Sequence, residues 1–377
     1  MKLTTAGESH GKALAGIIEG LPANLEIDIE EIDRYLSLRQ GGYGRGARQK
    51  IESDKIEILS GVRNRLTLGS PLAFLIKNRD YDNWREIMAP EGSNTSIKTL
   101  TAARPGHADL VGTIKFGQSD ARNVLERASA RETAVRVAAG SIARQYLKAL
   151  NVEIGGFVKS VCGISDEGEY SFEDMKRAKE QPLFMLNPQV EAKAVKKIDK
   201  LKDDGDSAGG IVEIRVKGLK SGFGSCMTYA EKLDAVLCAA LMSVQAVKGV
   251  EVGLGFLAGM REGSKVHDEI FYKDGKYTRN TNNAGGIEGG MSNGEEIVLR
   301  AAIKPIPTLM RGLRTVDIRT KQPVISAKER SDVAALCAAE IILESVTAFA
   351  LADVVSKRLG GDTMREVIER YNRLGEI

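Results

Sequence analysis

The segment Arg127-Ala128-Ser129-Ala130-Arg131-Glu132-Thr133-Ala134 leads into a run in which Val137, Ala138, Ile142, Ala143, Tyr146 and Leu147 recur at helical spacing. Ser129 with Glu132 three residues on marks a helix start, because the two side chains satisfy amides that have no partner in the first turn. The spacing behind it predicts a long, buried helix. An Ala-rich run from Val333 to Leu359 predicts a second, opened by Ser326 with Glu329 or by Ser331 alone and closed at Gly360 and Gly361. Asp28 with Glu31 opens a short helix, and Thr228 with Glu231 precedes one that ends before Gly249.

Strand-like stretches lie between these helices, at residues 14–19, 50–59, 72–77, 152–161, 210–216, 250–256 and 295–303. Helices and strands do not alternate one for one, as a doubly wound parallel sheet requires, so the expected class is α+β. The charged stretch 187–206 reads as a solvated helix face. No linker-like shift in composition divides the chain, and residues 1–377 are expected to form a single domain.

The 54 basic and 51 acidic residues nearly cancel, leaving a net charge of +3, so nothing global points to nucleic acid or a membrane surface. The four cysteines (Cys162, Cys226, Cys238, Cys337) show no metal or redox spacing and read as reduced core residues. The N-terminal residues lack an apolar signal region, and no stretch is long and apolar enough to span a bilayer; a cytoplasmic protein is expected.

The chain has only three histidines, and two of them stand in glycine-flanked loops, Gly7-Glu8-Ser9-His10-Gly11 and Arg104-Pro105-Gly106-His107-Ala108-Asp109. Imidazole exchanges protons near neutral pH more readily than any other side chain. His267 lies in a polar stretch and looks ordinary.

From Arg39 to Arg48, three arginines alternate with four glycines. Guanidinium forks match carboxylate and phosphate oxygens, and glycine allows close approach. An anionic ligand is the natural partner; an RNA-binding arginine-glycine segment and a merely mobile loop are the alternatives. Arg127 and Arg131 flank a helix start, which itself favours anions, although Ser129 and Glu132 alone would only cap. Asn280 to Gly290 is rich in Asn and Gly, a pattern that also fits plain turns, and Lys304-Pro305-Ile306-Pro307-Thr308 follows the last predicted strand. Asp332, in Glu329-Arg330-Ser331-Asp332, fits either an N-cap or a general base.

Walker, GxGxxG, HExxH and Cys/His metal patterns are absent, which takes weight from nucleotide-dependent hydride transfer and zinc hydrolysis. The residues alone lead to an enzyme for a small polyanion, with arginine clamps and two histidines in acid or base roles.

These motifs resemble the chorismate synthase family. Thr5 to Gly11 is similar to its first signature, Glu126 to Ala134 to its second, and Arg314-Thr315-Val316-Asp317 leading to Arg330-Ser331-Asp332 to its third. The match follows the family's order along nearly the whole chain. Leu38, Ala128 and Gln49 depart from the commoner arginine, serine and methionine.

The resemblance implies a β-α-β sandwich with central helices between antiparallel sheets, assembled as a homotetramer. It implies a shikimate-pathway lyase that converts 5-enolpyruvylshikimate 3-phosphate to chorismate and phosphate by 1,4-elimination, requiring reduced FMN without net redox change. That substrate carries roughly three to four negative charges, which call for charge-assisted donors. By similarity, Ser9, His10, Arg39, Arg48, Arg104, Ser129, Ala130, Arg131 and Arg330 would hold it, with Arg45 beside it or beside a nicotinamide (NADP) donor. His10 would act as acid towards the departing phosphate, His107 would interact with the flavin, and the ring proton would pass to flavin N5, directly or relayed to Asp332. Flavin contacts are implied for Arg127, Ala128, Ser129, Gln245, Ala246, Gly290, Lys304, Pro305, Ile306, Pro307, Thr308 and Arg330. A flavin reductase of different chemistry is the alternative within the same residue set.

Overall fold

The computed structural model describes residues 1–46, 53–91, 98–326 and 332–375. Two long helices, Thr133–Lys148 and Leu336–Leu359, lie at the centre and pack against each other. Their contact is close: a Cβ on Gly140 would stand 2.4 Å from the Cβ and carbonyl oxygen of Ser345, so only glycine fits there.

The first central helix rests on a four-stranded antiparallel sheet, ordered Lys2–Ala6, Ala13–Glu19, Leu72–Lys77, Glu57–Ile58. Ala13–Glu19 alternates as a half-buried strand should, with Leu14 and Ile18 inside and Ile17 outside. The second central helix rests on a five-stranded antiparallel sheet, ordered Val247–Val252, Ile297–Ile303, Gly210–Lys217, Glu153–Val161, Ile164–Ser165. Sheet, helices and sheet form the expected α+β sandwich, and the apolar core runs through all the layers.

Asp28 caps the helix Ile29–Gln40 as expected, accepting from the Glu31 amide. Other boundaries differ. Ser129 accepts from the Arg131 amide and caps a 3-10 turn, Ala130–Glu132, before the α-helix begins at Thr133. Glu132 does not complete a capping box; its carboxylate faces Gln245 and Arg136 instead. The second central helix starts at Leu336 without a side-chain cap, and residues 327–331, which include Glu329 and Ser331, lie outside the described residues.

The helix expected up to Gly249 ends at Met242, because Ala246 turns the chain in the left-handed region (φ 71°) and Val247 pairs with Ile303. The next strand therefore closes at Val252 and gives way to a 3-10 turn at Gly255–Met260. Of the strand expected at 50–59, only Glu57–Ile58 is observed, residues 50–52 lying outside the described residues. The charged segment is a helix, Pro188–Asp203, that buries Glu191, Ala194 and Ile198 and exposes Lys193, Lys196, Lys200 and Lys202. All four thiols are free, but only Cys337 is fully buried; Cys162 and Cys226 are exposed, Cys162 in the tight turn after Val161.

Candidate active site

Several loop and helix ends meet at one cavity of about 560 Å³. Its walls combine the loops around His10, His107 and Lys304 with the turn at Ala128–Arg131, the end of Ile29–Gln40 and the start of the second central helix.

His10 reaches the cavity because its loop doubles back tightly: Gly7 has φ 106°, and a Cβ there would stand 2.5 Å from the Ala13 carbonyl. The buried carboxylate of Glu126 meets the ring, both oxygens 2.9 Å from Nδ1, and Oε2 also accepts the His10 backbone amide at 2.9 Å. Trp84 stacks on the imidazole with ring centroids 3.8 Å apart and planes 20° from parallel. Burial alone would raise the Glu126 pKa, but its bonds to His10 and the charge of Arg122 hold it below the ordinary glutamate value. Ser9 is buried beside this pair, its amide donating to the Glu126 carbonyl and its hydroxyl accepting from Ser129 at 3.2 Å.

Two arginines share one acid. Nη2 of Arg39 and Nη1 of Arg131 donate to Asp54 Oδ2, at 2.8 and 2.7 Å. Burial pulls the Arg39 guanidinium below its ordinary value; Asp54 opposes that and Arg131 adds to it. Among the described residues two guanidinium groups thus meet one carboxylate in a poorly solvated wall, an arrangement that an anion complements. Asn78 links the wall to the histidine loop, accepting Arg131 Nε at 2.9 Å and donating to the Gly11 carbonyl at 2.7 Å. Arg45 Nη1 lies 2.8 Å from Asp332 Oδ2, and the Gly46 amide donates to Asp332 Oδ1 at 2.6 Å.

His107 has its own carboxylate, Asp109, against Nδ1, but that acid also accepts Arg104 Nε at 2.8 Å and Nη2 at 3.0 Å. Burial would raise the Asp109 pKa; His107 and Arg104 overcome it and hold the group well below the usual carboxylate range. Arg104 also donates to the Thr308 hydroxyl at 3.1 Å, and Lys304 to the Gly106 carbonyl, so the second histidine loop is tied to residues 304–308. Burial, and then Lys248, push the Lys304 pKa down.

The remaining wall is apolar and includes Leu125, Val244, Ile303, Ile306 and Ile342. At its edge, Gln245 donates Nε2 to Glu132 at 2.8 Å, which fixes the amide and leaves Oε1 buried without a partner among the described residues.

Ser9, His10, Arg39, Arg45, Arg104, His107, Ala128, Ser129, Ala130, Arg131, Gln245, Ala246, Lys304, Ile306, Pro307, Thr308 and Asp332 all line this cavity. Pro305 lies behind its lysine and isoleucine neighbours, packed on Gly209. Arg127 instead turns to the first strand, donating to the Gly7 carbonyl and the Thr5 hydroxyl. Gly290 lies in the turn between Ile287–Glu288 and Met291–Ser292, where its carbonyl accepts the Leu233 amide. Arg48 and Arg330 lie outside the described residues.

Asp54, Trp84 and the roles of Glu126 and Asp109 were not anticipated from the sequence. One signal was present for Trp84, the only tryptophan of the chain. Among the described residues no group of three or more His, Cys, Asp or Glu is arranged to hold a metal, and no helix is long and apolar enough to cross a membrane.

The family model of chorismate synthase matches residues 1–356. Chorismate synthase of Alkaliphilus metalliredigens is 54% identical over 378 residues, covering 100% of both chains. That of Thermus thermophilus is 50% identical, covering 100% of this chain and 99% of its own. A solved crystal structure of chorismate synthase superposes with a TM-score of 0.80 at 39% identity, covering 98% of this chain and 96% of that one. On full-length likeness in sequence and fold, the chain belongs to the chorismate synthase family and is a lyase of the shikimate pathway.

Proposed function

We propose that the cavity converts 5-enolpyruvylshikimate 3-phosphate to chorismate and phosphate by 1,4-elimination, with reduced FMN as cofactor. One observation carries this reading: Arg39, Arg45, Arg104 and Arg131 converge on a cavity that also holds two histidines, each backed by a buried carboxylate. A phosphate and two carboxylates are the complement of such a wall. Arg39 and Arg45 turn inward onto acids, which disfavours an exposed RNA surface.

The residues also fit a flavin. The volume falls within the roughly 300–1,000 Å³ of small-molecule sites. The apolar wall suits a flat ring system, and the orphaned Gln245 Oε1 is an acceptor for a ring N–H. Ala128, Ser129, Gln245, Ala246, Lys304, Ile306, Pro307 and Thr308 would hold it, and Arg127, Gly290, Pro305 and Arg330 remain part of the proposed set. Reduced flavin, when bound, supplies an electron-rich ring that eases departure of the phosphate.

In this reading Arg39, Arg131 and Arg104, with Arg48 and Arg330, bind the anionic groups, and Ser9, Ser129 and Ala130 line the same pocket. His10 donates the proton that makes phosphate a better leaving group. Asp332 takes the ring proton, for which its bond to Arg45 must loosen. His107, held by Asp109, faces the cofactor. Bound substrate and flavin displace water from these walls, which strengthens each of these interactions.

The same reading includes a homotetramer, supported by exposed apolar side chains such as Val111, Ile114, Phe256 and Met260, 67–78% exposed. Light scattering on the purified chain tests it.

The deciding experiment is anaerobic turnover of 5-enolpyruvylshikimate 3-phosphate with chemically reduced FMN, following chorismate absorbance and phosphate together. Equal yields support the reading, and their absence from folded, FMN-binding protein overturns it. Repeating the assay with oxidised FMN and NADPH tests whether the chain reduces its own flavin.

A further inference from the structure

The two cavity histidines are held by unequal carboxylates. Asp109 divides itself between His107 and two nitrogens of Arg104. Glu126 is given mainly to His10: Oε2 accepts the His10 backbone amide, both oxygens flank Nδ1, and Arg122 reaches Oε1 only at 3.3 Å. The backbones are tied as well, the Ser9 amide donating to the Glu126 carbonyl at 2.9 Å, which joins the loop to the helix beside the ring. Trp84 then covers the face of the ring, itself capped by Lys98 at 3.7 Å and approached by Arg122 at 5.1 Å.

From this geometry we infer that Glu126 is the positioning residue of His10. It fixes the proton on Nδ1, blocks ring rotation together with Trp84, and directs proton exchange with a cavity ligand through Nε2. The inference deepens the proposed function and rests on it for the acid role of His10. Three donors converge on Glu126, the His10 amide, the imidazole Nδ1–H and Arg122, and an ionised carboxylate has acceptor sites for all of them. A glutamine has one acceptor oxygen, and its NH2 would face a donor, so replacement undoes the arrangement without removing bulk.

The test is imidazole 15N spectroscopy of the full chain together with steady-state kinetics. The chain has three histidines, so His10→Ala, His107→Ala and His267→Ala assign every ring. Wild-type His10 is expected to carry a strongly hydrogen-bonded Nδ1–H proton, and Glu126→Gln is expected to lose that signature. In the same variant kcat falls by about 10²-fold or more, the usual worth of a positioned acid, with KM little changed. Glu126→Asp should recover part of the rate.

A wild-type His10 protonated only on Nε2 overturns the assignment, and so does a folded Glu126→Gln protein with unchanged ring signals or unchanged kcat. The wild-type spectrum decides the matter if Glu126→Gln does not fold. The proposed function fails separately: His10→Ala turning over at the wild-type rate removes the acid role, whereas the ring signals still report whether Glu126 positions the imidazole.

Discussion

Asp332 and Arg45 are locked together at the cavity wall, with Arg45 Nη1 2.8 Å from Asp332 Oδ2. The Gly46 amide holds the other carboxylate oxygen at 2.6 Å. Both oxygens of the carboxylate are thus engaged, and so is one nitrogen of the arginine fork. In the proposed reaction, an arriving polyanion competes with Asp332 for Arg45, so binding of substrate and release of the carboxylate draw on the same ion pair.

Asp332→Asn separates the two functions. If Asp332 takes the ring proton, kcat falls by about 10²-fold or more. KM should not rise, because a negative charge has been removed from an anion site. Anaerobic kinetics with reduced FMN check this; a raised KM with unchanged kcat would mean that Asp332 serves only to hold Arg45.

Asp54→Asn leaves Arg39 and Arg131 buried without their shared counter-charge. Breaking such a pair from one side destabilises by about 3–5 kcal/mol. Inorganic phosphate should return part of that, by binding the arginines in the folded state alone. Thermal unfolding with and without phosphate is the measurement, and the phosphate-induced rise in Tm should be larger in the variant than in the wild type. Equal rises would remove Asp54 from the anion site.

Much of the sandwich was legible because its signals are local. The spacing from Ala134 to Leu147 and the Ala-rich run to Leu359 require no partner to be recognised, and Leu72–Lys77 matches the expected strand at both ends. Candidate residues carried by rare side chains or by glycine and arginine motifs could be singled out for the same reason. Their counter-charges could not. Glu126 lies 116 positions from His10, and Asp54 lies 77 from Arg131; neither has a local pattern that separates it from a surface acid. Arg39 and Arg45 read as members of one anion-directed glycine-arginine segment, yet Arg39 lies in the last turn of a helix and is buried on Asp54, a distinction that only the packed layers make.

A buried cluster away from the cavity gives a prediction about pH. Glu340 and Glu344 sit one turn apart on the second central helix, Lys179 bridges them at 3.0 and 2.8 Å, and Arg144 meets Glu344 at 2.6 Å. Burial, reinforced by Glu344, raises the Glu340 pKa well above 4.5. Burial would raise Glu344 too, but Lys179 and Arg144 outweigh it and hold that group below 4.5. A lowered acid contributes stability above its unfolded pKa and loses it as pH falls through the folded value; a raised acid opposes folding as pH climbs above 4.5. Glu344→Gln should therefore destabilise by about 3–5 kcal/mol at neutral pH, with the deficit shrinking in acid. Glu340→Gln should leave stability unchanged or raise it, increasingly so at higher pH. Urea unfolding of both variants from about pH 3 to 8, which spans the window below 4.5 as well as above it, checks the signs, and equal losses in the two would refute the asymmetry.

The stacking of Trp84 on His10 makes the site optically visible. Trp84 is the only tryptophan, one face lies 3.8 Å from the His10 ring, and Lys98 caps the ring at 3.7 Å, so its emission reports on this stack alone. An imidazole stacked on an indole quenches its excited state. His10→Ala should therefore be brighter than the wild type. Glu126→Gln, which loosens the ring from the carboxylate that fixes it against Trp84, should fall between them, while His267→Ala, altering an exposed residue, should match the wild type. Substrate added without flavin should change the wild-type emission and leave that of His10→Ala nearly unaffected. Steady-state fluorescence at fixed pH tests all four comparisons, and identical emission from wild type and His10→Ala would mean that the two rings do not stay stacked in solution.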